Sequence, residues 1–365
     1  MKKLLLIILM LSVQLGWSQN RKITFPDIPG YETLVCDLHI HTVFSDGSVW
    51  PDIRVQEAIL DGVDVIALTE HIEYQPHKDD IPHPDRNRSY EIAKNYAKDK
   101  DLIVLHGTEI TRSMPPGHAN AIFVKDVNKL IIDDPIEAYR EANAQGAFVF
   151  WNHPHWPSQK PDGIAELTDM HKQLISEGLL HGIEVVNEGT YSDEALAIAQ
   201  ENNLTIMGTS DIHGLIDWLF DIPGGGHRPV TLVFSKDRSE ASIKEALVAG
   251  RTVAWFKNLL VGNEEILQSL LDSSVETGSV AYTDKTSVAV GEIKNNSDAT
   301  LVLENTSDYT FHRNGDIIQI PPHSSLTLEV KTKEVMDSFD LSFQVLNAVS
   351  APGTHPSVTL TFQVP

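Results

Sequence analysis

Between residues 33 and 257 short apolar runs rich in β-branched residues alternate with amphipathic stretches, and few folds accept that pattern. The seven runs are TLVCDLHI, DVIALTEH, LIVLHGTEI, AFVFWNHP, GIEVVNE, LTIMGTSDIH and PVTLVFS. Helical patterns separate most of them, among them WPDIRVQEAILDG, DPIEAYREANAQG and SDEALAIAQENN. Ser192 or Asp193 is available to cap the helix near Tyr191, and Gly250 is placed to end the helix that begins near Ser239. Runs that are apolar throughout are strands buried on both faces, which implies a parallel sheet covered by helices. Seven such units in roughly 225 residues favour a closed α/β barrel, with an open doubly wound sheet as the alternative.

After about Ser273 the helical patterns vanish. Period-two alternation takes over in TSVAVGEIKN, TLVLENTS, SLTLEVKT, LSFQVLN and VTLTFQV. An Asn314–Gly315 pair reads as a hairpin turn. Residues 273–365 therefore read as a small C-terminal antiparallel β-sandwich, with DSSVETGSVAYTDKTS as the linker to a barrel domain over 19–272.

The first eighteen residues, MKKLLLIILMLSVQLGWS, have a basic start, an apolar stretch and a small-residue end. They read as a signal peptide cleaved before Gln19. The apolar part is shorter than the about 20 residues a membrane-spanning helix needs. The expected protein is exported, periplasmic or secreted, and has no transmembrane anchor. It carries 28 basic against 51 acidic residues, a net charge of −23. Such a surface repels polyphosphate backbones, which excludes duplex nucleic acid as the main partner. The single cysteine, Cys36, lies in an apolar run and reads as a buried thiol, with no disulfide framework.

Residues i and i+2 of a strand point the same way, so His39 and His41 project together from the first strand and Asp37 shares their side. Asp46 follows in the next turn. His71 ends the second strand and Glu109 the third, with His118 nine residues later. NHPH carries His153 and His155, and SDIHG carries Asp211 and His213. All lie at C-terminal strand ends or just after them, the face on which barrel active sites form. Imidazole and carboxylate donors suit Zn, Mn or Fe. Nine potential ligands are too many for one ion and point to two or three divalent ions with bridging carboxylates. His106 faces away from Glu109 on the same strand and reads as structural.

The motifs DLHIHTVFSDGS, TEH, HGTEIT…PPGHANAI, NHPH and SDIHG, in this order, resemble those of the polymerase-and-histidinol-phosphatase (PHP) superfamily. The resemblance covers roughly residues 33 to 257. It implies a distorted (β/α)7 barrel and a trinuclear metal centre that hydrolyses phosphate esters. It also implies one ion on His39, His41, Glu109 and Asp211, a second on Glu109, His118 and His153, and a third on Asp46, His71 and His213. The leader and the appended sandwich depart from the intracellular histidinol phosphatases. GTEITRSMPPGHANAIF and HRPVTLVFS look more like exported PHP-type phosphodiesterases. The expected activity is hydrolysis of small phosphodiesters by a metal-bound hydroxide. A phosphomonoesterase and a non-catalytic metal- or ligand-binding module are the alternatives. Arg112 is a candidate phosphate clamp and His155 a candidate proton donor to the leaving group. His227 and Arg228 precede the seventh strand, which puts them at the opposite end of the barrel if that strand is short, while their long glycine-rich loop DIPGGGHRP could fold over the site.

Overall fold

In the computed structural model, which describes residues 22–365, the apolar runs form strands of one curled mixed sheet. The leader expected over residues 1–18 lies outside the described residues. In chain order the strands are β1 (Glu32–Ile40), β2 (Val65–Leu68), β3 (Ile103–Ile110), β4 (Ala119–Ile122), β5 (Phe148–Trp151), β6 (Gly182–Asn187), β7 (Thr190–Tyr191), β8 (Thr205–Thr209), β9 (Val230–Ser235), β10 (Thr252–Phe256) and β11 (Leu259–Gly262). The helices are α1 (Pro51–Asp61), α2 (Arg88–Ala97), α3 (Pro135–Ala144), α4 (Asp169–Ser176), α5 (Asp193–Glu201), α6 (Ile216–Phe220), α7 (Glu240–Val248) and α8 (Glu264–Ser274). Their starts are chemically specified. Proline opens α1 and α3, the Ser192 hydroxyl accepts from Ala195 N at α5, and Ser239 does the same for Ser242 N at α7.

Strands β1, β2 and β3 pair in parallel. β4 runs back between β3 and β5, which restores the direction for β5, β6 and β8. All six parallel strands thus end on one face. The run PVTLVFS, as β9, pairs antiparallel with β1, Cys36 opposite Thr231. A parallel return needs a crossover helix, and the chain between β8 and β9 holds only the five-residue α6 and a single 3-10 turn. This reversal corrects the expected position of His227 and Arg228, because β9 now starts near the face where β1 ends. Arg228 sits buried between Asp37 (3.2 Å) and Asp61 (2.6 Å). A one-residue bulge between Asp37 and Ile40 breaks the alternation of β1. Asp37 accordingly bonds Arg228 and Ser210 and does not join the histidines.

The seam between β8 and the β9–β10 pair is closed by threonine hydroxyls. Thr231 Oγ1 donates to Gly208 O (2.8 Å) and Thr252 Oγ1 to Ile206 O (2.8 Å). A Cβ on Gly208 would lie 2.7 Å from the Ala254 Cβ, so only glycine permits this approach. Cys36 is fully buried among Leu34, Leu38, Phe150 and Met207, and burial raises its thiol pKa well above the usual value. His106 stacks on Tyr90 of α2, centroids 4.1 Å apart, away from the strand-end cluster.

The remaining strands are β12 (Val275–Tyr282), β13 (Val288–Asn295), β14 (Leu301–Asn305), β15 (Thr310–Phe311), β16 (Ile317–Ile320), β17 (Ser325–Lys331), β18 (Ser338–Val345), β19 (Ala348–Val349) and β20 (Ser357–Gln363). All but β19 form two four-stranded sheets, β12-β13-β17-β15 and β16-β14-β18-β20, with strict in-out burial on β20. Two local expectations change. The residues read as a linker are the end of α8 and β12 itself. Asn314–Gly315 joins strands of different sheets, so it is a crossing bend and not a hairpin. The sandwich also completes the barrel sheet, since β19 adds in parallel to β11, Leu260 opposite Ala348. Asn347 fastens this edge by donating to Asn258 O (2.7 Å) and Thr300 O (2.8 Å). One apolar cluster runs from Ile23 in the barrel to Phe362 in the sandwich.

Candidate metal centre

β1 and the loop after β8 are stitched together where they end. Asp211 N donates to His39 O (2.9 Å) and His41 N to Ile212 O (3.1 Å). Beside them Glu109 N donates to Glu70 O (2.9 Å), which aligns Glu109 with His71 across neighbouring strands. The β3–β4 hairpin returns His118 to Glu109, and His153 follows β5. Asp46 enters on a tight turn in which Gly47 N donates to Thr42 O (2.9 Å). A Cβ on Gly47 would stand 2.7 Å from the His41 carbonyl carbon, so the turn requires glycine.

All nine residues expected as ligands meet here. His39 Nε2 lies 3.0 Å from Glu109 Oε2 and 3.1 Å from Asp211 Oδ1. His41 Nε2 lies 3.3 and 3.1 Å from the same two oxygens. Glu109 Oε1 faces His118 Nδ1 at 2.5 Å and His71 Nδ1 at 3.2 Å. Asp46 faces His71 Nε2 at 3.4 Å and His213 Nε2 at 3.2 Å. His153 is the most distant member, 3.9 Å from Asp211 Oδ2. Among the described residues three overlapping groups are tight enough for one cation each: His41, Asp46, His71 and His213; His39, His41 and Glu109; His71, Glu109 and His118. This grouping differs from the one the resemblance implies, in that His41 joins the Asp46 group and His118 sits with His71.

The chemistry of this donor set suits divalent cations. His39 Nδ1 is 2.7 Å from Glu184 Oε1, so it carries the proton and donates. Its Nε2 faces two carboxylate oxygens and His41 Nε2, 3.0 Å away, and although burial opposes it, Asp211 and Glu184 raise the His39 pKa well above the usual value. Electron-rich atoms so close repel unless positive charge stands between them. Glu109 Oε1 and Asp211 Oδ1 are buried without a hydrogen-bond partner among the described residues. Burial works against a protonated His71, yet Glu109 and Asp46 outweigh it and raise its pKa to about 11. Asp46 and Asp211 raise His213 to about 9 against the same burial. Burial also opposes ionisation of Glu109, but His71 and His118 hold its carboxyl well below the usual range. His153 is pushed down to about 4 by burial.

Arg112 and His155 are not brought to the centre. The Arg112 guanidinium pairs with Glu73 (2.8 Å) and the Ile132 carbonyl, and His155 Nε2 meets Thr190 Oγ1 (2.8 Å). The clamp and proton-donor roles expected of them have no support in this geometry. Sequence reading missed three buried residues that set the centre up. Glu184 accepts from His39, from His153 N (2.7 Å) and from Thr209 Oγ1 (2.6 Å). Glu70 accepts from Thr42 N (3.1 Å) and Ser45 Oγ (2.6 Å), shaping the turn that carries Asp46. Arg54 spends its N–H donors on the carbonyls of His41, Ile212, His213 and Gly214 and on Glu57. A pocket of about 360 Å³ opens on the cluster. His153, Glu188 and Asp211 around it hold positive φ of 30°, 48° and 49°, a conformation that costs a non-glycine residue energy and collects at functional sites.

The chain is similar to a two-domain protein from Bacteroides vulgatus that contains a predicted PHP-like metal-dependent phosphoesterase. Identity is 41%, the TM-score is 0.88, and the match covers 95% of this chain and 100% of that one. A candidate metal-dependent phosphoesterase from Bifidobacterium adolescentis is 19% identical with a TM-score of 0.41, over 60% of this chain and 98% of that one. Residues 275–361 match a family described as an Ig-like domain. No curated protein sequence matches the chain.

Proposed function

Because the chain belongs to the PHP-like metal-dependent phosphoesterases, we propose that it is an exported phosphodiesterase acting on small phosphodiesters at a centre of two or three divalent ions, Zn, Mn or Fe. The observation that carries this is the meeting of six imidazoles and three carboxylates at one strand-end face, where the buried Glu109 Oε1 and Asp211 Oδ1 have only cluster imidazoles close by among the described residues and no well-aligned hydrogen bond. In the assignment the family motifs imply, His39, His41, Glu109 and Asp211 would hold one ion, with His41 also within reach of the Asp46 group. Glu109, His118 and His153 would hold a second, and Asp46, His71 and His213 a third. Bound divalent ions supply the charge that acidifies water and neutralises phosphoryl oxygens.

The residues of the chain do the positioning. Glu184 fixes the His39 tautomer, and Arg54 keeps the His41 and His213 backbones in register. Among the described residues no lysine or arginine lines the pocket, so they bring no further positive charge to the phosphoryl group. That favours a monoanionic diester over a dianionic monoester. The net charge of −23 fits a small substrate better than a nucleic acid duplex. The leader supports export.

The test is a metal count per chain together with rates on bis(p-nitrophenyl) phosphate and p-nitrophenyl phosphate. Two or three ions, faster diester turnover, and loss of both metal and turnover in His41→Ala are expected. Faster monoester turnover would make it a monoesterase. Full occupancy with no turnover of either ester would make it a binding protein.

A further inference from the structure

Part of the pocket wall holds none of the expected metal ligands. Tyr74 and Trp156 line it and remain 53% and 42% exposed. Each is braced against a histidine of the cluster. Tyr74 meets His71 with centroids 5.8 Å apart at 74°, and Trp156 meets His153 at 5.2 Å and 67°. Large rings held in place and left uncovered at a pocket mouth are the usual means of gripping another ring. Between β6 and β7 stands Glu188, also in the wall. Its N donates to Thr209 O (3.1 Å), and its φ of 48° is one that a side-chain-bearing residue adopts only when held there. Arg112, the cation nearest in sequence to the cluster, is turned onto Glu73.

The geometry points to a subsite in which Tyr74 and Trp156 take the ring of an uncharged ring alcohol, such as a nucleoside or sugar without a second phosphate, with its hydroxyls toward Glu188. This rests on the phosphoesterase reading above and adds the substrate class to it. A hydroxyl donates well to a carboxylate. A second phosphate would meet the Glu188 charge with no lysine or arginine among the described residues of the wall to offset it, and like charges brought together are a means of rejecting the wrong ligand.

The experiment compares the metal-loaded full chain on thymidine 5′-(p-nitrophenyl phosphate) and on the same diester carrying a 3′-phosphate. Thymidine 5′-phosphate and thymidine 3′,5′-bisphosphate serve as the pair if only monoesters turn over. The wild type is expected to favour the 3′-hydroxyl substrate at least tenfold in kcat/KM. Glu188→Gln should shrink that ratio severalfold and Glu188→Lys should bring it near one or reverse it, each with the metal content of the wild type. Trp156→Ala should raise KM for the nucleoside diester more than it lowers kcat. A wild-type preference for the 3′-phosphate overturns the inference and leaves the phosphoesterase reading standing. So does a ratio that stays the same in both Glu188 variants while metal content is intact. If the loaded wild type hydrolyses neither pair, the phosphoesterase reading falls and this one falls with it.

Discussion

His39 Nδ1 lies 2.7 Å from Glu184 Oε1, and neither side chain reaches solvent. The carboxylate fixes which imidazole nitrogen faces the cluster and makes it a better donor. Glu184→Gln keeps an acceptor but removes the charge. Metal affinity is expected to fall by about 10–100-fold, read by Zn or Mn titration with metal analysis. An unchanged affinity would show that the pair serves packing alone.

Arg54 joins the two chain segments that meet at the centre, and its planar fork meets four carbonyls and the buried Glu57 carboxylate. Lysine cannot span that set. Arg54→Met leaves Glu57 buried without its partner, which costs about 3–5 kcal/mol. Urea unfolding of the two variants should place Met lowest and Lys between it and the wild type. Equal midpoints for all three would remove Arg54 from the account.

His171 is fully buried, stacks on Trp151 (3.8 Å), and bonds Pro116 O through Nε2 (2.7 Å) while Nδ1 accepts from Thr168 N (3.2 Å). Both nitrogens are thus committed to the neutral ring, and burial pushes its pKa from 6.5 down to about 4. The unfolded chain therefore takes up this proton first as pH falls. The contribution is intact above pH 6.5 and is lost between 6.5 and 4, to a limit of about 3 kcal/mol. Unfolding free energies at pH 7 and pH 5 should differ less in His171→Gln than in the wild type, and an equal pH dependence would refute the assignment.

Protons and cations compete for the same nitrogens in the cluster. With His71 raised to about 11 and His213 to about 9, both hold protons at pH 7 that an incoming ion must displace. Zn or Mn uptake should release protons into a weakly buffered solution. Apparent affinity should climb from pH 6 to pH 8. Affinity independent of pH would place the ions elsewhere.

The barrel and the sandwich share one apolar cluster and the β11–β19 pairing. Calorimetry of the chain should show one unfolding transition. Asn347→Ala, which removes bonds to Asn258 O and Thr300 O, should lower its midpoint without splitting it. Two separate transitions in the wild type would mean that the halves fold independently.

What is legible in the sequence follows from where the residues lie. His39 and His41 stand at the end of an apolar run, where period-two alternation and the burial of both faces announce a strand and its tip. Glu184 is hidden because it sits inside such a run, GIEVVN, every residue of which is buried. A lone carboxylate in an otherwise apolar strand was the available signal, since burying it requires partners. Arg54 is hidden because helical period alone assigns an arginine beside Val55 to the wet face, whereas α1 packs it fully inside. The reversal of β9 is hidden for a different reason: a run buried on both faces reads the same in either direction.

The amino-acid sequence by itself determined the donor atoms, their strand-end positions and the change from helical to alternating texture near residue 273. These are local properties, set by side-chain chemistry and by the periods of strand and helix. Only the tertiary structure decided that His41 keeps company with Asp46 and His213, that Arg112 turns away onto Glu73, and that β19 completes the barrel sheet. Those outcomes depend on strand direction, a single bulge and contacts across long stretches of chain, where burial and hydrogen-bond satisfaction choose among arrangements that local pattern leaves equal.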